Sequence, residues 1–217
     1  MDEITLSLIV ILVTGLLVVL IFVMVRRNRM EHEKRLAQMA LERGWRLELV
    51  KERLAYGQRI HHRDWVIELL TQSSGNPEAE GSSNVTASTV WKSPVTGSTV
   101  LVGPRTIQIS LGGLGETLTR QMLQMALGDE ADGLEEVKAG SEEFQKRYMI
   151  WAKDPEVVVR LINPFFESTL LNWVKYAPLI KRTSQGLSIE LRNFRLKKTE
   201  EIDLLVKLGE FLLTIDF

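Results

Sequence analysis

ITLSLIVILVTGLLVVLIFVMVRRNR, residues 4–29, decides how this chain is organised. From Ile4 to Val25 it carries no charged residue, and Arg26, Arg27 and Arg29 follow at once. At 1.5 Å per residue the apolar run makes a helix of about 33 Å, enough to cross a hydrocarbon layer of about 30 Å with its backbone groups paired internally. Residues 1–25 are therefore expected to form a transmembrane anchor that meets the lipid bilayer through residues 4–25. A cleaved signal peptide would open on basic residues and close on small ones. This segment opens on Asp2 and Glu3 and closes on arginines. A buried core helix would need apolar partners on every side. Because Lys and Arg are retained on the cytoplasmic side, Arg26, Arg27 and Arg29 are the topology determinants. They predict an inner (plasma) membrane protein with its N-terminus outside and its bulk in the cytoplasm.

The rest of the 217 residues follows from that tether. The chain has no cysteine, which excludes thiol catalysis and cysteine-ligated metal and agrees with a reducing compartment. The triplet Asn84-Val85-Thr86 is a glycosylation acceptor only if the orientation were reversed, and is inert in the cytoplasm. A formal net charge of −1 forecasts no strong steering toward nucleic acid, and none is expected as a partner. The charge is unevenly spread. Residues 26–63 hold eleven Lys or Arg against five Asp or Glu, whereas residues 75–143 hold four against ten.

Residues 26–44 read as a juxtamembrane stalk helix with Met30, Leu36, Ala37, Met39, Ala40 and Leu41 as its apolar members. Gly44 supplies the stop, and Trp45 can fold back on the helix. The stalk's basic residues lie where anionic headgroups would attract them, an attraction weakened by Glu31, Glu33 and Glu42. From Trp45 to Thr71 the period changes to two. Trp45, Leu47 and Leu49, then Trp65, Ile67 and Leu69, predict a hairpin with His62-Arg63-Asp64 as the turn. Residues 73–87 are rich in Ser, Gly and Asn and predict a surface loop. Residues 89–91 and 99–102 flank Pro94–Ser98 and predict a second hairpin, with Ile107, Ile109 and Leu111 as one more extended segment.

Leu114, Leu118, Met122 and Met125 have helical spacing, and Gly128 ends that helix. Residues 129–143 follow as an acidic linker, after which Phe144, Tyr148 and Ile150 begin a strand ending near Lys153. Asp154-Pro155 and Asn163-Pro164 are both helix starts, in which a side chain accepts from first-turn amides and proline occupies the first helical position. They predict a kink or two tandem helices over residues 155–176, burying Val158, Leu161, Ile162, Phe165, Leu170, Leu171 and Val174. Residues 179–183 and 187–191 form a hairpin through Ser184, Gln185 and Gly186. Thr199 is expected to cap a last helix, residues 200–214, with Asp203 and Lys207 paired four apart. The expected fold class is thus α+β: an N-terminal transmembrane helix and stalk, then one domain, residues 45–217, of antiparallel sheet covered by helices.

This order of features resembles uncharacterised bacterial single-pass membrane proteins: one anchor, a stalk with Leu36-Ala37 closing at Gly44-Trp45, strand pairs around Trp65 and Trp91, and Phe144 and Tyr148 before Asp154-Pro155. The resemblance implies an inner-membrane protein with a cytoplasmic α+β domain and brings no reaction with it.

No catalytic, cofactor-binding or metal-binding residue is expected. His32 lies in the stalk, and neighbours such as His61 and His62 point to opposite faces of a strand. Aligning Gly133 with the glycine of a calcium loop puts Gly128 and Ala139 where carboxylates are needed. Gly112-Gly113-Leu114-Gly115 lacks the lysine and hydroxyl of a phosphate loop, and Gly186-Leu187-Ser188 lacks the second glycine of a nucleophile elbow. Trp45, Trp65, Trp91, Trp151 and Trp173 fall where a sheet and its helices need large apolar residues, so most are expected in the core. The expected function is a non-enzymatic, membrane-tethered domain that binds a protein partner. The alternative is a small-molecule or lipid-binding domain with an aromatic-lined pocket.

Overall fold

The computed structural model describes residues 3–74, 84–105, 121, 123–173 and 176–215, with side chains described from Leu12 onward except those of Arg29, Ser74 and Asn84. A single helix, α1 (Glu3–Glu42), joins the apolar run to the stalk without a break. Its 40 residues reach about 60 Å. From Leu12 to Val25 every large apolar side chain is 52–69% exposed among the described residues. Farther on, Leu36, Met39 and Ala40 are buried in the domain, while Met30, Ala37 and Leu41 stay outside. α1 ends as its sequence predicts. Gly44 takes a positive φ of 68°, its N–H reaches the Leu41 carbonyl at 3.1 Å, and the Trp45 N–H reaches that of Ala40 at 2.7 Å.

Nine strands among the described residues form one antiparallel sheet: β1 (Arg46–Lys51), β2 (Ala55–His61), β3 (Val66–Ser74), β4 (Asn84–Ser93), β5 (Val100–Pro104), β6 (Glu135–Glu136), β7 (Tyr148–Ala152), β8 (Leu179–Thr183) and β9 (Gly186–Arg192). Their spatial order is β1-β2-β3-β4-β9-β8-β5-β7-β6. The helices are α2 (Glu142–Arg147), α3 (Pro155–Leu161), α4 (Pro164–Leu171) and α5 (Thr199–Thr214), with a 3-10 turn at Gly128–Ala131. The α+β class with an antiparallel sheet covered by helices is therefore the observed one. Among the described residues no helix is long and apolar enough to cross a membrane.

The sheet departs from the sequence expectation in two places. Residues 45–71 make three strands instead of two, because β2 reads as polar. It turns Gln58 and Ile60 inward and Arg59 and His61 outward. The second departure is that β4 and β5 are not a hairpin. The β8–β9 hairpin lies between them, with Ser93 opposite Leu187 and Val102 opposite Ile180. Gly186 permits the insertion, since a side chain there would overlap the Ser93 carbonyl. Buried Arg182 then ties the crossing segment to the chain end, donating to the carbonyls of Thr96 at 2.9 Å and Ile215 at 3.4 Å.

Smaller corrections follow from local pairing. Of the loop expected at residues 73–87, residues 73–74 and 84–87 are strand instead, in β3 and β4, and residues 75–83 lie outside the described residues. The extended segment around Ile107 to Leu111, Gly112–Gly115 and most of the helix expected from Leu114 lie outside the described residues. In its last turn Leu123 is buried and Met125 is 80% exposed. The acidic linker is not featureless. It holds the 3-10 turn, β6 and the start of α2, where Ser141 accepts from the Phe144 N–H at 3.3 Å. Phe144 is thus helical, and the strand begins at Tyr148.

Two tandem helices form as Asp154 and Asn163 cap them, accepting from the N–H groups of Glu156 at 2.9 Å and Phe166 at 2.8 Å. Phe166 is buried where Phe165 was expected, and Ile162 and Leu171 are only partly covered. Thr199 is the first residue of α5 and not its cap. Glu201 reaches back to the Lys198 N–H at 3.4 Å instead.

The main core lies on the sheet face under the helices. It contains Ile60, Trp65, Ile67, Leu69, Trp91, Ile150 and Ile189 below Leu36, Phe144, Phe166, Leu205 and Leu212. Trp173 is also nearly buried, whereas Trp45 and Trp151 are partly covered. A second, small cluster on the opposite face packs Leu101 with Leu123 and Ala131. That packing covers the β5 side of the outer face, while on the β1–β4 side Val50 and Leu70 are buried and Glu48, Arg59 and Glu68 are partly exposed.

Candidate functional site

The β1–β4 part of the outer face is built by the two-residue alternation of its strands. Glu48 on β1, Arg59 on β2 and Glu68 on β3 stand in one cross-strand row, since Glu48 pairs with Arg59 and Arg59 with Glu68. The Arg59 guanidinium lies 3.3 Å from Glu68, 3.6 Å from Glu52 and 3.9 Å from Glu48. Lys92 on β4 reaches Glu68 at 2.7 Å, and His61 Nε2 meets Glu48 at 2.9 Å. Lys181 pairs with Glu190 beyond them. Pairs this exposed add little to stability, about 0–1 kcal/mol each. Their effect is to hold charged ends in fixed places on a flat surface.

Next to this row lies a shallow cleft of about 320 Å³, lined by Lys92, Lys181, Thr183, Ser188 and Glu130 among others. Glu130 is engaged from several sides. It accepts from the backbone and hydroxyl of Ser184 and from the Thr99 hydroxyl at 2.9 Å. The Ser184 hydrogen bond, with the others, holds its carboxyl below the ordinary value. That engagement makes Glu130 a brace between the 3-10 turn and the β8–β9 turn.

The histidines separate as expected for strand neighbours. His61 stays on the outer face with Glu48, while the His62 ring stacks on Trp65 at 4.9 Å. His32 lies on α1, half covered beside residues 193–198. Among the described residues no group of three or more His, Asp or Glu is placed to hold a metal ion. Tyr148 is held by the core, its hydroxyl donating to the Leu170 carbonyl at 2.9 Å, and burial pushes it up to about 12. Arg26 and Arg27 are exposed on α1, Arg27 beside Glu31 at 3.0 Å, and the Arg29 side chain lies outside those described.

No family model matches this chain, and no curated protein or solved structure matches it. The site is therefore read from its own geometry. The row around Arg59 does not stand out in the sequence, because the polar β2 does not read as a strand. The signal was present as Glu48, Arg59 and Glu68, charges of alternating sign on adjacent strands.

Proposed function

We propose that this chain is a single-pass, membrane-tethered protein-interaction domain, held at the inner membrane by residues 4–25, with its N-terminus outside and residues 45–217 in the cytoplasm. One observation carries the reading: α1 is continuous from the apolar run to residues fixed in the domain core. Leu12 to Val25 expose a long apolar surface, each large apolar side chain 52–69% exposed among the described residues. Such a surface needs an apolar surrounding. The Arg26, Arg27 and Arg29 collar supports the orientation.

Protein contact is favoured by the shape and chemistry of the outer face. Arginine is enriched at interface cores, and Arg59 is already positioned by three carboxylates. The large aromatics that would line a ligand pocket, Trp65, Trp91, Phe144 and Phe166, are instead packed in the core. The likeness to uncharacterised bacterial single-pass proteins agrees with this reading and rests on sequence alone.

In-cell photo-crosslinking from residue Lys92 should capture a protein absent from an anchor-only control, and Arg59→Glu should reduce that capture about tenfold or more, as for a buried interface charge. Capture that is equal with the anchor alone, or unaffected by Arg59→Glu, would overturn the assignment.

A further inference from the structure

The tether and the sheet register together fix which end of the domain meets the bilayer. α1 descends twelve residues from His32 to Gly44, about 18 Å, and β1 climbs back from Arg46 to Lys51 by about 17 Å. His32 therefore lies level with the row in which Lys51 pairs with Tyr56, Tyr56 with Thr71 and Thr71 with Ala87. Segment 193–198 is at the same level. It leaves β9 at Arg192, opposite Ser88, and crosses the sheet through a hydrogen bond from Leu196 N–H to Thr89 at 2.9 Å and one from Arg195 to Gln58 at 3.0 Å. The first turn of α5 then runs beside α1, where Thr199 and Glu200 share a groove with Arg35 and Gln38, and Asp203 pairs with Arg43 at 2.5 Å.

Val25 is seven residues before His32, about 10 Å farther along the helix axis. The headgroup layer takes up about 6 Å of that, so this end of the domain stands within a Debye length, about 8–10 Å, of the lipid charges. Its composition fits that position. Arg53, Lys197 and Lys198 are exposed there, and so are Leu54, Tyr56 and Tyr176. Exposed apolar and aromatic side chains mixed with cations are costly in water and favourable at a membrane interface. Segment 192–198 holds four Lys or Arg and no acidic residue, and its described acidic neighbours are Glu52 in the β1–β2 turn, Glu33 on α1 and Glu200 and Glu201 at the start of α5.

We propose that this end of the domain, formed by the β1–β2 turn and segment 192–198, is a docking face for anionic phospholipid headgroups, which holds that end against the membrane. The proposal rests on the anchor reading above. It adds a second, charge-dependent contact that the anchor alone does not require.

The chain's lack of cysteine makes the test direct. Full-length Leu54→Cys and, as a control at the opposite end of the sheet, Val95→Cys would each carry a fluorophore, in nanodiscs of phosphatidylcholine with or without phosphatidylglycerol. The face predicts that phosphatidylglycerol lowers quenching of the label at position 54 by a neutral water-soluble quencher roughly fivefold or more, the factor one basic residue contributes at an anionic surface. The label at 95 should not change. Combined Lys197→Glu and Lys198→Glu should abolish the protection, and as acidic residues at a helix start they leave α5 intact. Equal quenching in both lipids, or protection that survives the Glu pair, overturns the docking face. Failure of the chain to co-elute with neutral nanodiscs instead overturns the anchor.

Discussion

Gly209 is where α5 meets the sheet. It sits on the buried side of the helix, and a methyl group there would overlap the indole of Trp91, itself fully buried. In an exposed helix, Gly→Ala would stabilise by about 1 kcal/mol. Here overpacking, about 1–3 kcal/mol, opposes that gain. Because the indole is held on β4 between helix and sheet, the clash should win. Gly209→Ala is expected to lower the melting temperature by several degrees in calorimetry, and a rise would contradict the packing. Nothing in the sequence marks Gly209 as special, since a glycine inside a helical pattern gives no hint of what lies opposite it. Gly44 differs, because its role is local. A glycine just after the last helical residue, followed by Trp45, specifies a helix end that six residues complete among themselves.

At the scale of elements, the informative one is the last third of α1. Leu36, Met39 and Ala40 fasten it to the domain, and His32 marks the rim of that contact. Burial lowers the His32 pKa below its ordinary 6.5, the charges of Arg195 and Lys197 lower it further, and Glu33 opposes them. A depressed pKa means that the docked form favours neutral imidazole. The contribution is therefore present above the unfolded value, about 6.5, and is lost as the pH falls through the lower, docked value. Amide exchange over residues 33–42 should accelerate as the pH falls below about 6.5, relative to a His32→Gln chain measured at each pH. Parallel behaviour of the two chains would exclude His32 as the cause. Asp203, below α1 on α5, acts at lower pH. Burial raises its carboxyl, but hydrogen bonds from Lys207 and Arg43 and their charges outweigh that and hold it below the usual value.

Element identity was legible where one segment contains its own signal. Asp154-Pro155 and Asn163-Pro164 start helices because a cap and a proline act within one turn. β2 was not legible, because its inner Gln58 is satisfied by Arg195, far away in the chain, and its outer Arg59 by Glu48 and Glu68 on two other strands.

For the whole molecule, the anchor reading makes a prediction that no part of the domain makes. A reporter fused after Phe217 should be active in its cytoplasmic form and silent in its periplasmic form, and alkaline carbonate should leave the chain in the membrane pellet. Replacing Arg26, Arg27 and Arg29 by neutral residues should raise the fraction with inverted topology. A periplasmic signal from the unaltered chain would reverse the orientation, and with it the side on which the outer face and the lipid-facing end operate.

The apolar run, its arginine collar, the α+β class, the end of α1 and the starts of α3 and α4 were determined by the amino-acid sequence itself, since each depends on neighbours a few residues apart or on simple periodicity. Tertiary structure alone decided that β8 and β9 enter between β4 and β5, that Arg59 gathers three carboxylates, and that residues 192–198 lie level with His32. Those depend on which distant strands share hydrogen bonds. Alternating side chains specify a strand and its two faces, but the same alternation is compatible with many strand orders, and only the packed core selects one.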